Sequence, residues 1–463
     1  MERFGHIIST CVLFVIITVT IADNPGVKMR VTQNGIAYAS TVAETFIRQA
    51  LGEQKINDLS GKEGSFEWSV TSIQVQSITG PNVQISLNPA NGGLTLSFTN
   101  FGVRLHGDWR AKKRVVFMIR GSGSVDLDVS GVSLTVTVGL GSSNGRPSFS
   151  SRNCVSSIGN LGIDIHGGLV AAVLRLFRGR LENKLKDSLQ ELICKTVNKQ
   201  IDSNANNELA KLKVLLDIDR FGLDYSLVAA PVITSTYLEV QSKGEFYLRN
   251  GRTVSSLTSA EIVTGNDVNS MLYVWLNEYV TNTLAQVAHN AGLFRYNLKL
   301  NNLLGGLTDT LRITSQVGAL YPNSDVELRI STTAAPTVKI DNNTITVSAL
   351  GDLNVVANAQ NVITANIRLS VTVQPFIRNE KLIATIVEHS FEFSISSTAI
   401  PDIDRNELNV LLNEALDDFV IPGLNIYGDA GIELPVTGIV KFYNTNLRLQ
   451  RGVMLVSSDV RYG

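Results

Sequence analysis

Cysteine, histidine and charge are all scarce in this chain, and each shortage removes a class of function. Three cysteines in 463 residues rule out a disulfide-dense scaffold. Of the five histidines, none lies in an H-E-x-x-H pattern or beside a Cys or carboxylate at metal-ligand spacing. Glycine-rich nucleotide-binding motifs are missing too, so neither a metal nor an organic cofactor is expected. Charged residues make up only 17%, with a net charge of −1, which argues against nucleic acid as a partner. Apolar runs long enough to span a bilayer do not recur beyond the N-terminus.

What is present begins with a leader. Arg3 precedes an uncharged apolar stretch over residues 7–21, which closes on Thr20-Ile21-Ala22. This is the layout of a secretory signal peptide occupying residues 1–22, with small residues at the cleavage point. A membrane anchor is the alternative, and the stretch is short for one. Cleavage would remove Cys11 and leave Cys154 and Cys194, which have one intramolecular pairing open to them in an oxidising compartment. The other outcome is a pair of buried free thiols. A closed bridge over this separation would be worth about 4 kcal/mol through loop entropy.

The near-zero net charge hides an asymmetry. Residues 23–224 carry 23 basic and 18 acidic side chains, a net of +5, and the remainder has a net of −6 apart from Glu2 and Arg3. An anionic partner should therefore meet the N-terminal half first.

Elements follow one order twice. A helix is expected over 31–51, then strands from 66 to 149 in which Leu94, Leu96 and Phe98, and later Val132, Leu134, Val136 and Val138, alternate with Ser and Thr. The apolar phase slips by one residue between Val70 and Ile73, which predicts a β-bulge near Thr71-Ser72. A long amphipathic helix over 168–201 carries Cys194. The second half should repeat the order, with a helix over 267–289 capped by Asp267, strands around 367–373 and 391–395, and a helix over 405–420 ended by Pro422-Gly423. Strands close the chain. Two similar α+β modules result, with domains at 23–246 and 263–463 and a polar linker at 247–262. Segments around 223–247 and the C-terminal strands are candidates to pair between the modules.

Candidate chemistry is sparse. Gly141-Ser142-Ser143-Asn144-Gly145 matches the G-x-S-x-G nucleophile elbow, which would make Ser143 an esterase nucleophile. That motif needs a helix directly after it, and Pro147 and Phe149 follow instead, so a loop of small residues is the stronger reading and an enzyme is not expected. More informative is Asp108-Trp109-Arg110-Ala111-Lys112-Lys113-Arg114, four cations in five positions between two strand-like runs. At a hairpin tip these cations could contact several phosphates, with Trp109 at an interface; a solvated charged face is the plainer alternative. The long apolar helix stripes are core or, if a helix stands off its sheet, a site for an acyl chain. Asn342-Asn343-Thr344 is a glycosylation sequon in a polar turn, with Asn342 as acceptor.

These residues together resemble a known family. Asn24-Pro25-Gly26, the stretch Trp109 to Arg114, Cys154 and Cys194 forty positions apart, Gly222-Leu-Asp-Tyr-Ser-Leu-Val-Ala-Ala-Pro231 and Lys243-Gly-Glu-Phe-Tyr247 fit it in joint order. The chain resembles the family of bactericidal/permeability-increasing protein and lipopolysaccharide-binding protein, whose relatives include the plasma phospholipid and cholesteryl ester transfer proteins. The resemblance covers the whole chain after the leader and is densest in the N-terminal half. It implies an α+β boomerang of two similar barrels, each a twisted antiparallel sheet with two helices, joined by a central β-sheet. It implies a bound phospholipid in each barrel, and a secreted, monomeric innate-immunity protein that binds bacterial lipopolysaccharide and acts at the outer membrane of Gram-negative bacteria. Arg110, Lys112, Lys113 and Arg114 match the family's basic tip, and Lys55 and Lys62 match more loosely because Asp58 and Glu63 interrupt that region. The modest +5 and a linker without a proline run favour binding over killing. The rival within the resemblance is a phospholipid or neutral-lipid transfer protein using the same pockets.

Overall fold

The structure, a computed structural model, describes residues 24–52, 58–114, 116–168, 178–179, 182, 190–191, 193–195, 197–218, 220–252, 255–299, 316–317, 319–321, 324–379, 381–433 and 440–462. The expected leader, with Cys11, and Lys55 lie outside these residues. The chain enters through β1 (Val27–Thr32) and helix α1 (Gln33–Gly52), so the first expected helix starts two residues later than its apolar spacing suggested, because Val31 and Thr32 are taken into a sheet. There follow β2 (Leu59–Glu63), β3 (Phe66–Thr79), β4 (Asn82–Asn88), β5 (Gly93–Arg114), β6 (Met118–Ser143), β7 (Arg146–Ser157) and β8 (Asn160–Gly167). They form one antiparallel sheet in the order β2-β3-β5-β6-β7, with β4 paired to the first part of β5 and β8 to the first part of β6. Two partners per long strand require the sheet to curl, and interruptions in register along β3, β5 and β6 permit it. One of these is the expected bulge: register slips between Thr71 and Gln74, Ser72 has φ of 55°, and its N–H donates to Asp58 Oδ1 at 3.2 Å.

The disulfide between Cys154 and Cys194 is closed, joining β7 to a segment whose described residues between 178 and 199 are helical. Helix and strand are held further down by Asp202, which accepts from Ser151 N–H at 2.6 Å, and by Asn206, which exchanges hydrogen bonds with the Phe149 backbone at 2.8 Å. Gly141–Gly145 forms the β6–β7 hairpin, with Ser143 opposite Arg146. Strand leads to strand there, which is not the context of a nucleophile elbow.

A short helix, α2 (Asn206–Ala210), leads into β9 (Leu215–Ile218), β10 (Phe221–Asp224), β11 (Val232–Ile233), β12 (Tyr237–Ser242), β13 (Glu245–Leu248) and β14 (Leu272–Asn277). Helix α3 (Glu278–Asn290) follows β14 directly. The helix expected over 267–289 thus begins only at Glu278, after a bend and the strand Leu272–Asn277. Met271, Trp275 and Tyr279 have helical spacing, but Tyr273 and Trp275 also alternate, and pairing with β1 decides the contest. Asn277 caps the helix, accepting from Tyr279 N–H at 2.8 Å. Asp267 instead faces Arg448 at 3.4 Å.

The second half contains β15 (Arg295–Lys299), β16 (Val326–Thr332), β17 (Thr337–Ile340), β18 (Ile345–Ala357), β19 (Gln360–Arg378) and β20 (Lys381–Thr398), then α4 (Arg405–Ala415), a π-turn over Leu416–Val420, α5 (Ile421–Ala430), β21 (Ile432–Glu433), β22 (Val440–Gln450) and β23 (Val453–Tyr462). The sheet order β15-β16-β18-β19-β20-β21, with β17 also on β18, repeats the doubled pairing of the N-terminal sheet. Pro422-Gly423 does not end the last helix. The π-turn restarts it, so Pro422 falls in a first turn where its missing N–H costs nothing. Helix α5 then lies against β20: Asn425 Oδ1 accepts from Ile386 N–H at 2.8 Å, and a Cβ on Gly428 would sit 2.0 Å from Ala384 O.

The halves meet in a six-stranded sheet, β11-β12-β1-β14-β23-β22. Of the expected segment 223–247, only 232–242 enters this sheet, and it does not pair with the last two strands, because β1 and β14 lie between; Phe221–Asp224 and Glu245–Leu248 pair with each other in a separate sheet. At its centre Arg30, 1% exposed, donates to Glu239 Oε2 at 2.9 and 3.3 Å, to Thr264 Oγ1 at 2.8 Å and to Gly265 O at 2.6 Å. Its guanidinium lies 3.7 Å from the Tyr237 ring centre and 4.8 Å from that of Trp275. Replacing Arg30 with Ala should cost about 3–5 kcal/mol, since it strands a buried carboxylate. Urea unfolding would measure this, and a loss under 1 kcal/mol would show that the guanidinium is not needed.

Candidate functional site

Strands β5 and β6 are the longest in the molecule's described residues and form a hairpin whose end lies level with the β2–β3 turn, where Arg114 N–H donates to Ser65 O at 3.2 Å. Period-2 alternation sorts the basic run on β5 by face. Arg110, Lys112 and Arg114 point outward and are exposed, while Trp109, Ala111 and Lys113 share the inner face. Trp109 is fully buried and donates from Nε1 to His166 O at 3.0 Å, so it is a core residue and not the interfacial aromatic its neighbours suggested. It packs in a cluster with Phe66, Trp68, Val70, Leu105, Val125, Leu127 and Ile163, which stiffens the base of the hairpin. Lys113, opposite Phe66 and Ile119, is half-buried at the margin of this core.

Cross-strand register builds a charged rung on the outer face. Lys62 on β2, Glu67 on β3, Lys112 on β5 and Arg120 on β6 stand side by side. Lys112 Nζ is 2.6 Å from one oxygen of Glu67, and Lys62 Nζ is 2.9 Å from the other. Arg120 was not anticipated from sequence, although it closes the apolar run that follows Arg114. The rung carries three cations against one carboxylate, with Arg110 and Arg114 flanking it on the same face.

The turn itself supplies what the sequence reading overlooked. Val116 and Phe117 are 92% and 72% exposed, and Met118 beside them is exposed as well. Large apolar side chains at a hairpin tip, ringed by cations, form a surface with two chemistries: one suited to anionic groups, the other to hydrocarbon. The signal was present as Val115-Val116-Phe117-Met118 between Arg114 and Arg120.

A second feature lies at the other end of the sheet. Val83, Ile85 and Leu87 on β4 stand opposite Phe98, Leu96 and Leu94 on β5, which stand opposite Leu134, Val136 and Val138 on β6. The β6 members are buried, whereas Ile85, Leu87, Leu94, Leu96 and Phe98 keep part of their surface open. Helix α1 flanks this ladder, held to β4 by Ser40 Oγ accepting from Ile85 N–H at 2.9 Å. Asn342 is exposed in the β17–β18 turn, which Asp341 N–H closes on Thr344 O at 2.9 Å. No group of three or more metal-ligating side chains is gathered for an ion among the described residues, and no described helix is long and apolar enough to cross a membrane.

Two ammonium groups on one carboxylate have a measurable consequence. Hydrogen bonds from Lys112 and then Lys62 pull the Glu67 carboxyl from 4.5 to about 2. The bridges therefore contribute in full above the ordinary carboxylate range and are lost only as pH falls through about 2. A carboxyl NMR titration should place Glu67 near that value, and Lys112→Ala should return it towards the ordinary range. A midpoint near 4.5 in the unmodified protein would refute the rung.

Comparison with known proteins agrees with this architecture. The model of the LBP / BPI / CETP family N-terminal domain matches residues 35–209, and that of the C-terminal domain matches residues 217–462. The chain is 28% identical to a bactericidal permeability-increasing protein of Sebastes schlegelii, covering 97% of this chain and 98% of the relative. It is 25% identical to the lipopolysaccharide-binding protein of Homo sapiens over 100% and 99% of the two chains. The crystal structure of a lipopolysaccharide binding protein superposes with a TM-score of 0.59 at 23% identity, covering 95% of this chain and 99% of that one, and so shares the fold of two curled sheets joined by a central one. With both domain models matched in order along nearly the full length, the chain belongs to the LBP / BPI / CETP family.

Proposed function

We propose that this protein is a secreted, monomeric lipid-binding protein of innate immunity that captures bacterial lipopolysaccharide at the β5–β6 tip. The observation that carries this reading is the exposed Val116-Phe117-Met118 turn set among Arg110, Lys112, Arg114 and Arg120. Lipid A presents phosphates directly above acyl chains, and this tip presents cations directly above hydrocarbon-seeking side chains. Lys113 stands close enough to the turn to contribute. Lys62 adds charge from β2 but is engaged with Glu67, and Lys55 is assigned by its place in the sequence alone. The names of the relatives, which include lipopolysaccharide-binding proteins across the full length, support the same ligand class. Recognition needs no catalytic step, and Ser143 in its hairpin has no elbow to serve. Action against Gram-negative bacteria follows from outer-membrane binding, and Asn342 in its exposed turn is a glycan acceptor.

Binding of this kind has two separable parts. Replacing Arg110, Lys112 and Arg114 together with Ala should weaken lipopolysaccharide binding by about tenfold to a hundredfold at low salt, with a shallower salt dependence than the parent. Replacing Val116 and Phe117 with Ser should lower affinity by about tenfold or more with the salt slope unchanged, because it removes apolar burial. Unchanged affinity in both variants, by titration against lipopolysaccharide micelles, would refute the tip.

The half-open ladder of Ile85, Leu87, Leu94, Leu96 and Phe98 supports a second activity, the holding of a phospholipid acyl chain beside α1, and with it a transfer function as the alternative reading. Organic extraction of the purified protein followed by mass spectrometry should return phospholipid, and Leu96→Asp should reduce the yield. Protein free of lipid, with no exchange of labelled phospholipid between vesicles, would remove that reading and leave the tip untouched.

A further inference from the structure

On the outer face of the N-terminal sheet, just below the cationic tip, two histidines converge on one carboxylate. His106 on β5 is the direct cross-strand neighbour of Asp126 on β6, and His166 on β8 stands one rung nearer the tip, opposite Ser124. His106 Nδ1 is 2.7 Å from Asp126 Oδ1, and His166 Nε2 is 3.4 Å from Asp126 Oδ2. Each imidazole takes a different oxygen. A metal ion would need the donors to face one point, whereas this arrangement suits the sharing of protons. All three side chains are open to solvent, at 40%, 38% and 63% exposure for His106, Asp126 and His166.

The charged groups around the trio are predominantly acidic. Asp164 on β8 shares the rung of His106 and Asp126. Asp108 on β5 stands one rung towards the tip, beside Ser124 and His166. Arg104 and Asp128 stand one rung away from the tip, bridged at 2.8 Å. Gln74 and Thr71 on β3 complete the rungs without charge. With both imidazoles neutral, this patch of Arg104, Asp108, Asp126, Asp128 and Asp164 carries a net −3. With both protonated it carries −1. Beyond Asp108 on the same face of the same strand come Arg110, Lys112 and Arg114.

We propose that His106, Asp126 and His166 form a proton-responsive element that adjusts how strongly the neighbouring tip attracts an anionic lipid surface. This rests on the tip being the lipid-facing site. At neutral pH the acidic patch offsets part of the tip's field, within reach of about one screening length for its nearest members. When both imidazoles carry a proton, Asp126 gains two cationic partners and the patch loses most of its opposing charge. Hydrogen bonds from His106, and the charge of both histidines, hold the Asp126 carboxyl below its usual range, so it remains an anion throughout and the change comes from the imidazoles. Both rings are exposed and their backbones are fixed by sheet pairing, so the response requires no rearrangement of the fold.

Vesicles of phosphatidylglycerol in a neutral carrier lipid test this directly, because that headgroup keeps its single negative charge between pH 5.5 and 7.5. The unmodified protein should bind about threefold to tenfold more tightly at pH 5.5 than at pH 7.5 in low salt. His106→Gln with His166→Gln should keep the affinity seen at pH 7.5 and bring the ratio close to one, with unchanged circular dichroism. Asp126→Asn should raise affinity at pH 7.5, which a purely structural role would not do. A double variant that keeps the full pH ratio, or an unmodified protein with none, overturns the proton-responsive element and leaves the tip standing. Absence of binding to these vesicles at both pH values, or binding unaffected by Ala at Arg110, Lys112 and Arg114, overturns the tip reading and this inference with it.

Discussion

The guanidinium of Arg30 is the interaction on which the rest of the architecture depends. It is a full charge in a site almost closed to water, and such a charge persists only when every donor is met. Here its partners come from three separate stretches of chain: Tyr237 and Glu239 on β12, the connecting segment at Thr264, Gly265 and Asp267, and Trp275 on β14. Lys28, two residues before it, adds a bond to Ile262 O at 2.9 Å and stands 3.8 Å from Glu239. One short strand therefore gathers the end of the N-terminal half, the connection and the start of the C-terminal half. The connection is not a free tether. Ile262 within it is fully buried against Tyr273, Trp275, Val453 and Leu455.

With the seam fixed, each half can devote its sheet to other work, and in the N-terminal half the device is strand alternation. A basic run read as a string of letters looks like a uniform patch. On a strand, every second residue belongs to the other side. Trp109 and Ala111 go to the core and rigidify the hairpin, while Arg110, Lys112 and Arg114 line the outside. The same alternation continues down β5 through Asp108, His106 and Arg104, so tip charge and opposing charge lie on one continuous surface. Glu67 prevents its neighbours Lys62 and Lys112 from repelling each other freely, which lets cations be packed into adjacent strands at tolerable electrostatic cost.

Much of this was legible in the sequence, for reasons that differ by element. Alternation along Val132 to Val138 and the phase slip at Thr71 translate directly into a buried strand face and a bulge, since both depend on local pleating alone. The pairing of Cys154 with Cys194 needed only counting. What was not legible depended on distant partners. Leu272 to Asn277 has both helical and alternating apolar spacing, and β1, more than two hundred residues earlier in the chain, decides between them. Pro422 reads as a terminator unless the π-turn before it is known. Trp109 beside four cations reads as interfacial until its rung partners show which face it takes. The apolar turn at Val116 and Phe117 was hidden by its resemblance to one more strand.

The asymmetry between the halves explains why the tip belongs to the first. Each half has a long terminal hairpin, β5–β6 in one and β19–β20 in the other. At the end of the second, Arg378 is 3.5 Å from Asp429 on α5 and 5.6 Å from the Phe376 ring, and β21 pairs along the edge beside it. Its cation is answered from within the half, and helix and strand cover its flank. At the end of the first, the exposed apolar turn lies next to a rung in which three cations meet one carboxylate. A curled sheet with a covered end can serve as a scaffold or an acyl container. One with an open, cationic and apolar end has surface left over for a partner that is itself anionic outside and hydrocarbon within. The net positive charge of the N-terminal half and the negative charge of the C-terminal half add to this difference, since the open tip sits in the half that would attract an anionic surface and the covered end in the half that would repel one.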